Sequence, residues 1–216
     1  MNQEKGDEAI DLYTWSTPNG RKVSIMLEEL GVNYRVFAVD IGQGEQHEGE
    51  IARINPNHKI PAIVDHEHGI SLMESAAILM YLAKKYDRFM SLDGDAYWHQ
   101  MQWLMFQVGH IGPMLGQAHH FLKFNPGKSP YAEARYEAEC ARLYSVLDAR
   151  LQSRDYLCDD YTIVDITTWP WISRFEWQQI DLTEYPSLCD WYIRIAGRPA
   201  VQRGYAVPQP LTVPMP

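Results

Sequence analysis

Asn55-Pro56-Asn57-His58-Lys59-Ile60-Pro61-Ala62-Ile63-Val64-Asp65, with Leu72-Met73-Glu74-Ser75 shortly after it, is the segment from which the rest of this chain can be read. Asn-Pro-Asn marks a turn. Pro61 then opens a short apolar strand, and a second short strand leads into a helix that begins at Glu74-Ser75. Proline has no backbone N–H, so the chain around Pro61 cannot pair fully as a strand interior. The amide and carbonyl of Ile60 are left to face something other than a sheet. The first amides of a helix have no intrahelical acceptor and form an anion site. A proline-interrupted edge strand beside such a helix start suits a small peptide-like ligand that carries a carboxylate.

Upstream, residues 1–9 read as a polar lead with no apolar leader segment, so no secretory signal is expected. Ile10–Tyr13 reads as a strand, and Ser16-Thr17-Pro18-Asn19-Gly20 as a dense turn signal. Val23, Met26, Leu27 and Leu30 recur at helical spacing up to a stop at Gly31. Tyr34–Val39 is a second strand, rich in aromatic and β-branched residues. Ile41–Glu50 reads as loop or weak helix. Ala62–Val64 and Ile70–Leu72 flank a hairpin turn at residues 66–69, and Ala77, Ile78, Tyr81 and Leu82 mark a helix to about Tyr86. The order βαβ, ββα is that of a thioredoxin-like domain.

Beyond a polar link at residues 87–95 no strand pattern recurs. Trp98–Phe124 reads as a long helical stretch interrupted at Gly109, Gly112 and Pro113, and Tyr131–Leu151 as a helix. Thr162-Ile163-Val164-Asp165 resembles a capping box that starts a helix running through Trp177. Ser187–Ala196 is a further helix, ended by Gly197-Arg198-Pro199. The proline-rich end reads as extended. The chain is expected to be an α/β thioredoxin-like N-terminal domain plus an all-α C-terminal domain.

A length of 216 residues allows one good core or two small ones. The formal net charge of −9 argues against general binding to nucleic acid or anionic membranes, which need a basic surface. No apolar run approaches the roughly 18 residues of a membrane-spanning helix. Cys140, Cys158 and Cys189 are far apart and form no CxxC, which predicts reduced thiols in a cytoplasmic protein, placed as small core residues. Adjacent His119 and His120 point about 100° apart on a helix, poor geometry for one metal. His66 and His68 read as solvated turn. No metal site is expected. The seven tryptophans read mainly as core, with Trp15 in a loop as the exception.

Two segments invite chemistry. Thr17 with Pro18 is an ordinary helix start by itself, an N-cap followed by proline at the first helical position. A hydroxyl and an amide at a helix N-terminus can also donate to a sulfur, and with the helix dipole they would lower a thiol's pKa from about 8.5. Glu74-Ser75 is likewise a plain cap when taken alone. Beside Lys59-Ile60-Pro61 it becomes a candidate ligand cradle. Ser75 would hold a carboxylate, Glu74 an α-ammonium, Ile60 would pair through its backbone as an added strand does, and Lys59 would meet a terminal carboxylate.

These motifs resemble those of the glutathione transferases, from Asp11 to about Gly204. The similarity is closest to the bacterial nu class, transferases with disulfide-bond reductase activity. It runs through Thr17-Pro18-Asn19-Gly20, Asn57-x-Lys59-Ile60-Pro61-Ala62-Ile63-Val64-Asp65-His66, Trp103-Leu104-x-Phe106-Gln107-Val108-Gly109, Gly112-Pro113-Met114-Leu115-Gly116-Gln117 and Ser129-Pro130-Tyr131-Ala132. His58 stands where the class has Asn. The resemblance implies a glutathione transferase fold, with residues 9–88 as the glutathione-binding domain and 96–206 as the substrate and dimerisation domain. It implies a cis Ile60–Pro61 bond. It places Thr17 and Asn19 at the glutathione sulfur as the catalytic pair. It places Gln46 and Lys59 at the glycine end, Ile60 on the backbone, Glu74 and Ser75 at the γ-glutamyl end, and Arg135 across a homodimer at the partner's site. It also implies glutathione as co-substrate, as two molecules or the disulfide in one site.

No cysteine occurs in the expected N-terminal domain, so an enzyme disulfide is unavailable there and glutathione itself must be the nucleophile. Acting on a small-molecule disulfide, one glutathione would attack and a second would resolve the mixed disulfide. Conjugation of glutathione to an electrophile uses the same half-site and stays open as an alternative. So does a non-catalytic glutathione-binding regulatory role.

Overall fold

β1, Ile10–Thr14, is buried at all five positions and forms the centre of a four-stranded sheet. The computed structural model describes residues 9–216, so the polar lead read over residues 1–8 lies outside the described residues. The sheet order is β2-β1-β3-β4, with β2 at Tyr34–Ala38, β3 at Ala62–Asp65 and β4 at Ile70–Met73. β2 pairs parallel to β1, while β1/β3 and β3/β4 are antiparallel. Asp11 lies in this buried centre. Burial alone would raise its pKa, but Arg35 bonds it through both oxygens at 2.9 and 2.8 Å and His66 approaches at 2.9 Å. Together they hold it below the ordinary carboxylate value.

Strand alternation divides the sheet's two faces. Tyr13 and Ala62 point to one side, where Val39 and Ile51 complete a small core joined by Phe37, Ile54, Ile60 and Val64. Ile51 and Ile54 come from α2, Gly49–Ile54. Leu12 and Ile63, fully buried, point the other way, toward α1 (Pro18–Leu30) and α3 (Ser75–Tyr86). α1 ends where expected: Gly31 takes φ +69, and its amide bonds Leu27 and Glu28 while Val32 reaches back to Leu27.

The chain forms two compact units. One is the chain through Tyr86 together with Pro199–Thr212, and the other comprises Asp87–Arg198 and Val213–Pro216. A helix at Pro199–Tyr205, here α9, belongs to the first unit, whereas the sequence reading ended the helices at Gly197. A seven-residue helix is not stable alone. It exists because it docks on α1: a Cβ on Gly204 would lie 2.6 Å from the Ile25 Cα, Ser24 Oγ donates to the Gly204 carbonyl at 2.7 Å, and Arg21 stacks on Tyr205 at 3.6 Å.

The second unit holds α4 (Gly94–Phe106), α5 (Gly112–Ala118), α6 (Pro130–Leu151), α7 (Ile163–Ile172) and α8 (Pro186–Ala196). The interruption expected near Gly109–Pro113 is a π-helical widening at Gln107–Ile111, which takes up the proline without ending the helix. A second widening spans His119–Phe124. The capping box is present, with Thr162 N–H donating to Asp165 Oδ2 at 3.0 Å. The helix it starts stops at Ile172 rather than Trp177. Pro170 has already cost it a donor, and the Ser173 hydroxyl closes the last turn on the Pro170 carbonyl at 2.8 Å.

Trp169, Trp171 and Trp191 are core residues as expected, but Trp98 is 68% exposed on α4. Cys140 and Cys158 are buried and Cys189 is half-buried. His119 is buried between Trp171 and Trp177 and accepts from the Gln178 amide at 3.0 Å. Burial, helped by Arg174, pushes it down to about 4, so it is a neutral packing residue. Among the described residues, no helix is long and apolar enough to cross a membrane.

Candidate functional site

The strand registers gather the candidate residues. Thr14 pairs with Ala38, Tyr13 with Ala62, and Ala62 with Met73. The C-terminal ends of β1, β2 and β4 and the N-terminal end of β3 therefore share one end of the sheet. β1 leads from there to Thr17 and Asn19, and β2 leads to the loop carrying Gln46. Lys59 and Ile60 immediately precede β3, and Glu74 and Ser75 immediately follow β4. Seven of the eight residues singled out in the sequence thus meet at one edge of the first unit. The eighth, Arg135, is exposed on α6 of the second unit. It lines a groove of about 580 Å³ with Met114, Tyr131 and Tyr136.

Thr17 is the N-cap of α1. Its Oγ1 accepts from Gly20 N–H at 3.1 Å, and its own amide donates to the Trp15 carbonyl at 2.7 Å. A hydroxyl both accepts and donates, so capping leaves the Thr17 O–H able to donate outward. The loop is tight enough to require glycine at position 20, where a Cβ would lie 2.3 Å from the Trp15 carbonyl oxygen.

Asn55, only 2% exposed, organises the turn before β3. Its amide donates to the Lys59 carbonyl at 2.6 Å and its oxygen accepts from Asn57 N–H at 2.9 Å. The Ile60–Pro61 bond is cis. The ladder begins only at Ala62, so the Ile60 amide and carbonyl stay outside it, while the Ile60 side chain packs on the Tyr13–Ile51 core. Gln46 stands in a single 3₁₀ turn, Glu45–His47, tied back where Glu45 accepts from Asp40 N–H at 2.6 Å.

Glu74 precedes α3 with φ +69, the left-handed region that a β-carbon disfavours by about 1–3 kcal/mol. Its carbonyl accepts from Ile78 N–H at 2.9 Å, so this conformation turns the chain into the helix and leaves the carboxylate exposed. Ser75 is 8% exposed at the helix start. Behind it lies Lys22 of α1, 3% exposed, with Nζ 3.5 Å from Ser75 Oγ. Burial pulls Lys22 down to about 7, and the Glu74 carboxylate offsets part of that. Sequence reasoning missed both Asn55 and Lys22. The signal for Lys22 was its spacing: it stands four residues before Met26, on the buried stripe of α1.

This edge offers donors at two helix starts, an exposed ammonium at Lys59, an exposed carboxylate at Glu74 and an unpaired backbone segment at Ile60. It suits an extended ligand with carboxylates at both ends and an amine at one. Family models describing the N-terminal and C-terminal domains of glutathione S-transferase match residues 8–84 and 111–199. Disulfide-bond oxidoreductase YfcG of Escherichia coli (strain K12) is 48% identical over 88% of this chain and 92% of its own length.

The chain belongs to the glutathione S-transferase family.

A second relative in that organism, disulfide-bond oxidoreductase YghU, is 37% identical over 94% of this chain and 76% of its own length. Among solved structures, a glutathione transferase from Pseudomonas putida with one glutathione disulfide bound per subunit superposes with TM-score 0.88. It is 38% identical and is matched over 95% of this chain and 94% of its own. One from Burkholderia graminis with two glutathione molecules bound per subunit matches with the same TM-score, 0.88, and the same identity, 38%, over 95% of this chain and 91% of its own. The sheet and the helical unit are those of the family.

Proposed function

We propose that this glutathione S-transferase family member is a glutathione-dependent disulfide-bond reductase in which bound glutathione supplies both thiols. The observation that carries this is that no cysteine belongs to the described part of the unit that holds the cradle. All three thiols lie in the helical unit. Burial raises each of them, Cys140 and Cys158 to about 12, so they are poor nucleophiles at neutral pH.

In the reaction, one glutathione thiolate attacks a sulfur of the substrate disulfide, whose S–S bond breaks and whose leaving thiolate takes up a proton. A second glutathione thiolate then attacks the glutathione sulfur of the mixed disulfide, releasing the second substrate thiol and glutathione disulfide. Two electrons pass from two glutathiones to the substrate. Thr17 and Asn19 stabilise the attacking thiolate. Gln46 and Lys59 hold the glycine carboxylate, Ile60 the cysteinyl backbone, and Glu74 and Ser75 the γ-glutamyl group. The protein's contribution is alignment and thiolate stabilisation. The relatives named as disulfide-bond oxidoreductases support this reading over conjugation to an electrophile. Reduced thiols and a cytoplasmic location accompany it.

The test is to replace Cys140, Cys158 and Cys189 together with alanine or serine. The folded variant is expected to retain its rate on a small model disulfide, and that rate is expected to exceed conjugation to a model aryl halide. A folded, glutathione-binding, cysteine-free protein without reductase activity would refute glutathione as the source of both thiols.

The same reading makes the protein a homodimer with Arg135 at the partner's glutathione site. Its support is the exposed guanidinium beside Tyr131, which is itself 81% exposed. Arg135→Ala is expected to weaken binding of glutathione disulfide and leave the dimer intact. Light scattering that finds a monomer at micromolar concentration refutes it.

A further inference from the structure

We propose that Lys22 is the buried counter-charge for a carboxylate bound at the start of α3, a positioning and specificity residue that acts through Ser75. The inference rests on the glutathione reading and concerns its γ-glutamyl end. Lys22 Nζ approaches Ser75 Oγ at 3.5 Å from the protein interior. An ammonium only donates, so Ser75 Oγ is the acceptor in that contact. The serine's own proton is then left for another acceptor, such as a ligand carboxylate. Ser75 and the first amides of α3 become a set of donors backed by a positive charge, which takes a carboxylate and rejects an amine. The ligand's ammonium is left to the exposed Glu74 carboxylate on the adjacent residue. Two neighbouring positions thereby read the two opposite charges of one α-amino acid group, and Lys22 fixes which is which.

Burial is the reason for a proton-linked signature. A lysine held away from water gives up its proton readily while the site is empty, and a carboxylate arriving in front of it restores the proton's affinity. Several other charged groups on elements packed against α1 are in ion pairs, and Lys84 of α3 is exposed. Asp11 of β1 is paired with Arg35 and His66, Arg203 of α9 with Glu28, and Lys85 of α3 with Asp65 and Glu67. Arg21, beside Lys22 in the chain, lies over Tyr205. The Glu74 carboxylate acts on Lys22 against burial, favouring its protonated form.

The experiment is calorimetric titration of S-methylglutathione, which has no titrating thiol, into wild type and Lys22→Met at pH 8. Two buffers of different ionisation enthalpy report net proton uptake. Wild type is expected to take up protons on binding. K22M is expected to bind at least about tenfold more weakly, as loss of a charge-assisted contact implies. It should show less proton uptake, and the ligand's own ammonium, common to both proteins, cancels in the difference. On a model disulfide, KM for glutathione should rise more than kcat falls. The Tm of K22M should hold or rise, because methionine suits a buried site better than an ammonium. Equal affinity and equal proton uptake in the two proteins overturn the proposal and leave the glutathione reading standing. Failure of wild type to bind S-methylglutathione overturns the glutathione reading itself. Should K22M not fold, Lys22→Gln carries the same comparison, and binding by wild type without proton uptake at pH 8 overturns the proposal without any variant.

Discussion

Thr17→Ala is expected to lower the disulfide-reductase rate of the folded protein by roughly 10- to 150-fold, the equivalent of one hydrogen bond to an ionic sulfur at about 1.5–3 kcal/mol. Its stability cost should be modest, about 1 kcal/mol for a lost N-cap. The two effects come from the two capacities of one hydroxyl. Oγ1 accepts from Gly20 N–H at 3.1 Å and so serves the helix, while in the proposed reaction the proton on the same oxygen serves the thiolate. The Thr17 amide cannot substitute, because it is spent on the Trp15 carbonyl.

Three variants separate the roles. Thr17→Ser keeps both capacities and should keep both rate and Tm. Thr17→Asp keeps a good capping acceptor but carries no donor when ionised, so it should keep the Tm and lose the rate. Thr17→Ala should lose both, and the apparent pKa of the bound glutathione thiol should move back toward about 8.5. A folded Thr17→Ala protein with a lowered Tm and an unchanged rate would reduce Thr17 to a helix cap.

The largest stability loss is expected from Asp165→Ala, about 3–5 kcal/mol, because several buried donors lose their acceptor at about 1–3 kcal/mol each. Asp165 is fully buried and accepts from three places in the helical unit. Oδ1 takes Leu157 N–H at 2.9 Å and the Trp191 indole at 2.9 Å, and Oδ2 takes Thr162 N–H at 3.0 Å. One carboxylate therefore ties the start of α7 to α8 and to the preceding loop. Removing it orphans three buried donors. Burial still outweighs these bonds and raises Asp165 from 3.8 to about 6.

The sign of the pH effect follows. The folded state holds this proton more tightly than the unfolded chain, so the contribution to stability is complete below the unfolded value and shrinks as pH rises from 3.8 toward about 6. Denaturant melts of wild type and Asp165→Ala should therefore differ more at pH 4 than at pH 7. A difference that grows with pH would show that the hydrogen bonds to Asp165, not its burial, set the proton's affinity.

Much of the first unit was legible because its signals are local. Thr17-Pro18 and Gly31 bound α1 through capping and backbone sterics, Pro61 ends strand pairing, and Thr162 with Asp165 starts α7. Each works through its own few residues and needs no distant partner. The places of Thr17, Lys59, Ile60, Glu74 and Ser75 in the fold were legible for the same reason, since they flank strand ends and helix starts that the sequence marks.

What the sequence by itself could not determine is whatever depends on which surface covers which. α9 exists because Gly204 lets its backbone lie against Ile25, a contact between residues far apart in the chain. The π widening before Gly112-Pro113 keeps as one helical stretch what proline chemistry alone reads as a break. Trp98 remains in solvent although its composition reads as core. Lys22 carries a charge that usually means surface, yet α1 turns it inward against the start of α3. Caps and turns follow from short-range sterics and hydrogen bonding, which a sequence carries with it. Burial follows from packing between distant segments, and only the tertiary structure decides that.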